Sequence, residues 1–179
     1  MIKFHSLIFF LLLLCLSSCS QKQETGSNVF RFNLSQNIET LEPVMSNSNQ
    51  SIWALAMMME GLVQYDKQNN LIPCIAKSWS ISEDGLAYTF NLRTDAQFHD
   101  DPCFKLNGGK GRRVTAADFK YCLERVNNPK TKTRGSWVFR DKIKGAQEYI
   151  DYMSGKSTAT VEGISGLRVA NDSTFVIEL

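Results

Sequence analysis

Residues 82–93, SEDGLAYTFNLR, decide the fold class. Asp84-Gly85 is a turn pair, because tight hairpin turns need backbone angles that glycine reaches freely. Beyond it, Leu86, Tyr88, Phe90 and Leu92 face one side, and Ala87, Thr89, Asn91 and Arg93 face the other. A period of two is the mark of a half-covered strand. Trp79-Ser80-Ile81, just before the turn, is the predicted partner strand of a hairpin.

Working outward, the same signals recur. Phe30, Phe32 and Leu34 alternate with Val29, Arg31 and Asn33, which predicts a strand over NVFRFNLS. A Ser- and Asn-rich loop with Pro43 follows. Ile52, Leu55, Ala56 and Met59 recur at i, i+3, i+4 and i+7, predicting one buried helix face with Gly61 near its end. Residues 65–82 are a turn-rich connection, with a turn at Asn69-Asn70. Residues 98–114 are a long polar loop. Thr115 followed three residues later by Asp118 resembles a capping box and starts a helix. Its apolar stripe is Phe119, Cys122, Leu123 and Val126, and residues 127–135 break it. A short helix carries Ala146, Tyr149, Ile150 and Met153 and stops at Gly155. Asn171-Asp172 turns between strands over 166–170 and 173–179. The class is α+β, a mixed α/β chain with several hairpins.

The 179 residues carry 20 Lys and Arg against 18 Asp and Glu, a formal charge of +2. That balance offers no basic face for nucleic acid, so no nucleic-acid partner is expected. The N-terminus reads as a targeting segment. Lys3 supplies a positive start, residues 7–14 are an unbroken apolar run, and Ser17 and Ser18 are small. The run is shorter than the about 20 apolar residues that span a bilayer, and the pattern is that of a secretory signal peptide over 1–18. Leu16-Ser17-Ser18-Cys19 resembles the bacterial lipobox, so Cys19 is the expected lipidated N-terminus. Cys15 follows bulky Leu14 and does not fit. Residues 19–28 read as a flexible tether. Lipid chains contribute about 0.8 kcal/mol per buried CH2, enough in number to hold a soluble domain at a membrane. Roughly 150 residues remain, enough for one ordinary domain.

Each chemical candidate has a plainer reading. His99, Asp100, Asp101 and Cys103 have metal-ligand chemistry, but near-consecutive ligands in one loop cannot easily be aimed at one ion; a solvated turn is the better reading, and no metal or cofactor is expected. His99 is the single histidine outside the leader, and no Gly-x-Ser-x-Gly pattern is present. No acid–base pair of carboxylates is singled out. Residues 108–113, GGKGRR, lack the P-loop pattern and read as a basic loop. Cys122 lies on a helix stripe and is expected to be a small core residue. Cys74 and Cys103 sit in loops, and their pairing stays open. Met59 is expected in the core, with Met57 and Met58 partly so. Burial is the expectation for each of Trp53, Trp79 and Trp137. The lack of a catalytic signature leans towards binding and away from an enzyme.

Several spaced motifs together resemble one family. In order they are Leu41-Glu42-Pro43; Glu60-Gly61-Leu62-Val63; Pro73 and Ala76 before Trp79; Asp84-Gly85; Tyr88, Phe90, Leu92 and Arg93; Phe98-His99; Val114-Thr115-Ala116-Ala117-Asp118-Phe119; Tyr121, Arg125 and Asn128-Pro129. The chain is similar to the extracellular solute-binding proteins of family 5, the receptors of peptide-type ABC importers. GAQEYIDYMSGK and GLRVANDSTFVIEL lie nearest the oligopeptide-binding branch. The loop over 100–113 departs from the family's shorter turn.

The resemblance implies a partial periplasmic-binding-protein-like class II fold. Residues 29–62 would begin lobe I, and 63–179 would form most of an extra α+β domain. The apolar strand end at Leu179 fits this, since such an edge needs covering; the chain is expected to be the N-terminal part of a longer receptor. The implied function is capture of extended peptides between two lobes, with delivery to importer permease subunits. A monomer is expected. The cleft segment after Leu-x-Pro is residues 44–49, and the implied ligand-binding residues are Ser46, Asn47 and Ser48. Three rivals are carried: a same-family receptor for a nickel chelate, haem or sugar; a structural or interaction lipoprotein or degenerate remnant; and an exported hydrolase.

Overall fold

The structure is a computed structural model, and it describes residues 31–179. The predicted signal peptide, Cys19 and the tether lie outside the described residues. Two compact units are distinguished, 1–34 and 35–179. Of the first, the described residues 31–34 form no strand or helix. The strand expected over NVFRFNLS is therefore corrected over its described part, where Phe32 is half exposed.

The second unit runs α1 (Asn49–Met58), β1 (Val63–Tyr65), β2 (Leu71–Pro73), β3 (Ala76–Ile81), β4 (Ala87–Leu92), α2 (Ala116–Asn127), α3 (Ala146–Met153), β5 (Leu167–Asn171) and β6 (Thr174–Glu178). Short 3-10 turns occur at Pro43–Met45, Lys105–Asn107, Pro129–Thr131 and Ser136–Val138. Strands β3, β4, β6 and β5 form one sheet in that order, all antiparallel, and β1 pairs with β2. The class is the mixed α and β one expected. Among the described residues no helix is long and apolar enough to cross a membrane.

The hairpin at Asp84-Gly85 forms as predicted, with Trp79 opposite Phe90 and Ile81 opposite Tyr88. The Asp84 carboxylate accepts from the Leu86 amide at 3.0 Å, and Gly85 takes φ 74°. The second turn is Asp172-Ser173, one residue later than expected, because Asn171 pairs with Thr174. The Asn171 side-chain oxygen accepts from the Ser173 amide at 2.9 Å, which locks it. The short strands β1 and β2 were not legible. They are three residues each around an Asp66–Asn70 turn, in which Asp66 accepts from the amides of Gln68 and Asn70.

The core lies between the four-stranded sheet and helices α2 and α3. Leu92, Ala116, Ala146, Ile164, Leu167 and Phe175 are buried there, and Phe119 stacks on Phe175 at 6.3 Å. The Thr115–Asp118 cap forms as expected, with the Thr115 amide donating to Asp118 at 2.8 Å. Helix α3 buries Ala146 and Tyr149, and Gly155 ends it at φ 76°.

Several burial expectations are corrected. Ile52 and Met59 are about half exposed, Ala56 is exposed, and α1 buries only Gln50 and Ser51. Cys122 is exposed, as are Trp53 and Trp137, while Trp79 is half-buried. Cys74 and Cys103 are both free thiols.

Candidate functional site

The segment over 40–60 is held against the body by its first half. Glu42 pairs with Arg125 near the end of α2 at 3.1 Å. Pro43 starts the 3-10 turn, Val44 is buried, and the Val44 carbonyl accepts from the Arg134 amide at 3.2 Å. Proline suits this position because its fixed φ and missing N–H cost nothing at the start of a turn.

Ser46, Asn47 and Ser48 follow and link this turn to α1. The Ser46 amide closes the turn by donating to Pro43, while its hydroxyl oxygen is buried with no hydrogen-bond partner. Asn47 is exposed. Ser48 caps α1: its oxygen accepts from the Ser51 amide at 3.3 Å, and its hydroxyl donates to the Ser51 oxygen at 3.0 Å. The fully buried Ser51 oxygen also accepts from the Thr40 amide at 3.4 Å, and the Gln50 amide group donates to the Ser35 hydroxyl at 3.3 Å. The three residues are thus adjacent in space as in sequence. The Ser48 hydroxyl is occupied by the helix cap, and polar capacity remains on Ser46 and Asn47.

At the other end of α1 lies a hollow of about 250 Å³. Met58, Met59, Ile75, Phe98, Phe119 and Cys122 form much of its wall, with His99 and Asp118 at its polar part. The loop over 98–113 positions Phe98 and His99. The Phe98 amide donates to Arg112 at 2.9 Å, and Asp100 accepts from Lys110 at 2.7 Å and from the Gly111 amide at 2.9 Å. Gly111 is required there, since a Cβ would overlap the Phe98 carbonyl. Arg112 stacks over the Phe98 ring at 4.8 Å and forks onto the Asp118 carboxylate. The basic residues of GGKGRR are thereby largely committed to partners: Lys110 to Asp100, Arg112 to Asp118, and Arg113 to the Ser173 hydroxyl at 2.7 Å.

The electrostatics do not set up a nucleophile. Burial raises the Asp118 carboxyl, but the Arg112 guanidinium and the Thr115 bonds outweigh it and hold it below the ordinary value. Burial, then the Asp118 charge, pushes the Cys122 thiol up even though the residue is exposed. A hydrogen bond to Asp101, with some burial, pushes Cys103 up. Protonated thiols are poor nucleophiles and poor metal ligands. Asp100 is engaged by Lys110 and Gly111, and Asp101 accepts from the Cys103 amide at 2.8 Å. Among the described residues no cluster of three His, Cys, Asp or Glu is placed to hold a metal.

The exposed face of α1 was missed by periodicity, although one signal pointed to it. Asn49–Met58 contains no charged residue and has apolar side chains on more than one side. A helix of that kind is built to be covered on more than one face.

The model of the bacterial extracellular solute-binding proteins, family 5 middle region, matches residues 70–179. The oligopeptide-binding protein AliB of Streptococcus pneumoniae is 29% identical over 161 residues, covering 89% of this chain and 22% of AliB. The crystal structure of an oligopeptide ABC transporter substrate-binding domain from Bacillus anthracis superposes with a TM-score of 0.67 at 32% identity, over 83% of this chain and 25% of that one. Listeria monocytogenes OppA bound to peptide gives 0.64 at 25% identity, over 80% and 25%. The chain therefore spans about a quarter of the length of the relatives it matches. With a family match over residues 70–179 and a superposition on about a quarter of a solved substrate-binding chain, the chain belongs to the bacterial extracellular solute-binding proteins of family 5.

Proposed function

We propose that this chain is part of the substrate-binding lipoprotein of a peptide ABC importer. The observation that carries the reading is the superposition on oligopeptide receptors at 32% identity and a TM-score of 0.67. The family consists of solute-binding proteins, and no catalysis is assigned to this chain. In this reading residues 29–62 belong to lobe I and 63–179 to an extra domain. Cys19 carries the lipid that holds the receptor at the membrane, and permease subunits receive the peptide.

Ser46, Asn47 and Ser48 would lie on the cleft wall. Ser46 brings a buried hydroxyl without a partner, and Asn47 an exposed amide with both donor and acceptor capacity. The exposed Asn47 amide suits the main chain of an extended peptide, whose repeating N–H and C=O groups give affinity independent of side chains, and the Ser46 hydroxyl would serve once turned outward. Ser48 contributes by fixing the start of α1. Hinge closure over the bound peptide would form the state presented to the permease.

The test is calorimetry on the receptor purified from the cells that make it. Short peptides should bind with a negative heat-capacity change. Asn47→Ala should weaken them by roughly fivefold, the loss of about one net hydrogen bond. Binding of a nickel chelate, haem or sugar in place of peptides would transfer the reading to another ligand class. No binding of any of them would favour an interaction lipoprotein.

A further inference from the structure

The loop over 98–113 contains a segment that neither the core nor the candidate site uses. It is the 3-10 turn Lys105–Asn107 and the two glycines after it. Leu106, Asn107 and Gly108 are all exposed. The Asn107 carboxamide is restrained through its Nδ2, which donates to the Lys110 carbonyl at 3.0 Å. The Gly108 amide makes a longer bond, to the Lys105 carbonyl at 3.3 Å. Gly108 and Gly109 take φ of 60° and 82°, a region that glycine enters readily. Nothing lies within 4 Å of the place a Cβ on Gly108 would occupy. The Gly108 nitrogen and the Asn107 side-chain carbonyl can therefore meet by turning a few bonds in open solvent.

Other positions show why this pair stands apart. Asparagine is thermolabile, and Asn107 is the one asparagine of the chain that glycine follows. Asn47 is also exposed, but it precedes Ser48, whose side chain crowds the nitrogen and caps α1. Asn127 is buried, with its Nδ2 on the Leu123 carbonyl. Asn128 precedes Pro129, which has no N–H to react. Asp84-Gly85 has the same spacing and a tighter hold. Hydrogen bonds from Ser82 and Leu86 keep that carboxyl ionised, and an anion is a poor electrophile. The Gly85 amide is also engaged, donating to the Ser82 carbonyl at 2.9 Å.

We infer that Asn107 is a site of spontaneous covalent modification, at which the Gly108 nitrogen attacks the Asn107 side-chain carbonyl carbon and ammonia leaves. The new bond joins the Gly108 nitrogen to Asn107 Cγ, and the Cγ–Nδ2 bond breaks. The Gly108 proton departs with the amide nitrogen, so nothing is oxidised or reduced. Water then opens the cyclic imide on one side or the other, giving aspartate or isoaspartate. Either product replaces the donor that held the Lys110 carbonyl with a carboxylate. Isoaspartate also lengthens the main chain inside the turn. The bonds from the Asn107 amide to Phe104 and from the Lys110 amide to Asn107 are then lost. The new charge competes with Asp100 for Lys110. The modification thus loosens the loop at its tip and leaves the Arg112–Asp118 fork at its base in place.

The test is peptide mapping of the 179-residue chain after days at body temperature and mildly alkaline pH, with isoaspartate read by a methyltransferase specific for it. Asn107 should convert several times faster than Asn47, and faster than Asp84 isomerises. The rate should climb with pH, because the attacking nitrogen must shed its proton. Asn107→Gln should stay intact, since its longer side chain closes a less favourable ring. Gly108→Ala should slow the reaction severalfold. Amide exchange over 101–110 should quicken in the converted chain, with the strands unchanged. An Asn107 that stays intact in the folded chain but converts in urea would mean that the fold protects it, and overturns the inference. A rate no higher than that of Asn47 overturns it as well, and conversion with unchanged exchange overturns the loosening of the loop.

Discussion

Helix α2 and helix α1 carry similar apolar spacing and meet different fates. Helix α2 lays Phe119 and Leu123 on the sheet, where Phe175 is fully buried, and its start is fixed by the Thr115–Asp118 cap and Arg112. Helix α1 is capped as well, by Ser48, but turns its apolar residues outward and anchors itself through Gln50 and Ser51. Periodicity reports that a helix has a face to bury. It does not report whether the covering surface is within reach. For α2 the sheet supplies the cover; for α1 no described element does so.

The contrast can be broken or sharpened by mutation. The largest effect is expected at the sheet: Phe175→Ala should cost about 3–5 kcal/mol in denaturant unfolding, since a large side chain leaves a closed core. Asp118→Ala should cost about 1–2 kcal/mol by removing a helix cap and the partner of Arg112. The same carboxylate predicts an acid limb. Its folded pKa lies below the ordinary 3.8, so its contribution is complete above about pH 5 and is lost as pH falls through 3.8 towards the folded value. In Asp118→Ala that part of the acid limb should be missing from the pH–stability curve.

Effects at α1 should be smaller and local. Ser48→Ala should remove about 1 kcal/mol of helix stability. It should be visible as faster amide exchange over residues 51–55, with the strands unchanged. Trp53→Ala should be nearly silent in this chain, within about 0.5 kcal/mol by denaturant unfolding, as for other exposed positions. A loss at Trp53 approaching that at Phe175 would mean that α1 is already covered here, and the contrast would fail.

Much of the body was legible in the sequence. The Asp84-Gly85 hairpin, the Thr115 cap, the Gly155 stop and the last hairpin all depend on residues within a few positions of one another. The strands β1 and β2 were not legible, because three residues are too few to show a period. The strand expected over NVFRFNLS is not formed in its described part, residues 31–34. Of the site, Ser46, Asn47 and Ser48 came from a family resemblance rather than from chemistry. The division of labour among them, a cap at Ser48 and unused polar groups at Ser46 and Asn47, needed coordinates.

By itself the sequence determined the Asp84-Gly85 turn, the helix start at Thr115, and which family the chain joins. Those outcomes follow from backbone sterics and short-range hydrogen bonds, which adjacent residues settle between themselves. Tertiary structure decided what is inside. Cys122, Trp53, Trp137 and Met59 read as core and are exposed, whereas Gln50 and Ser51, at the end of a stretch read as loop, are buried. Burial is a relation between a residue and chain far from it in sequence, so no local pattern can fix it.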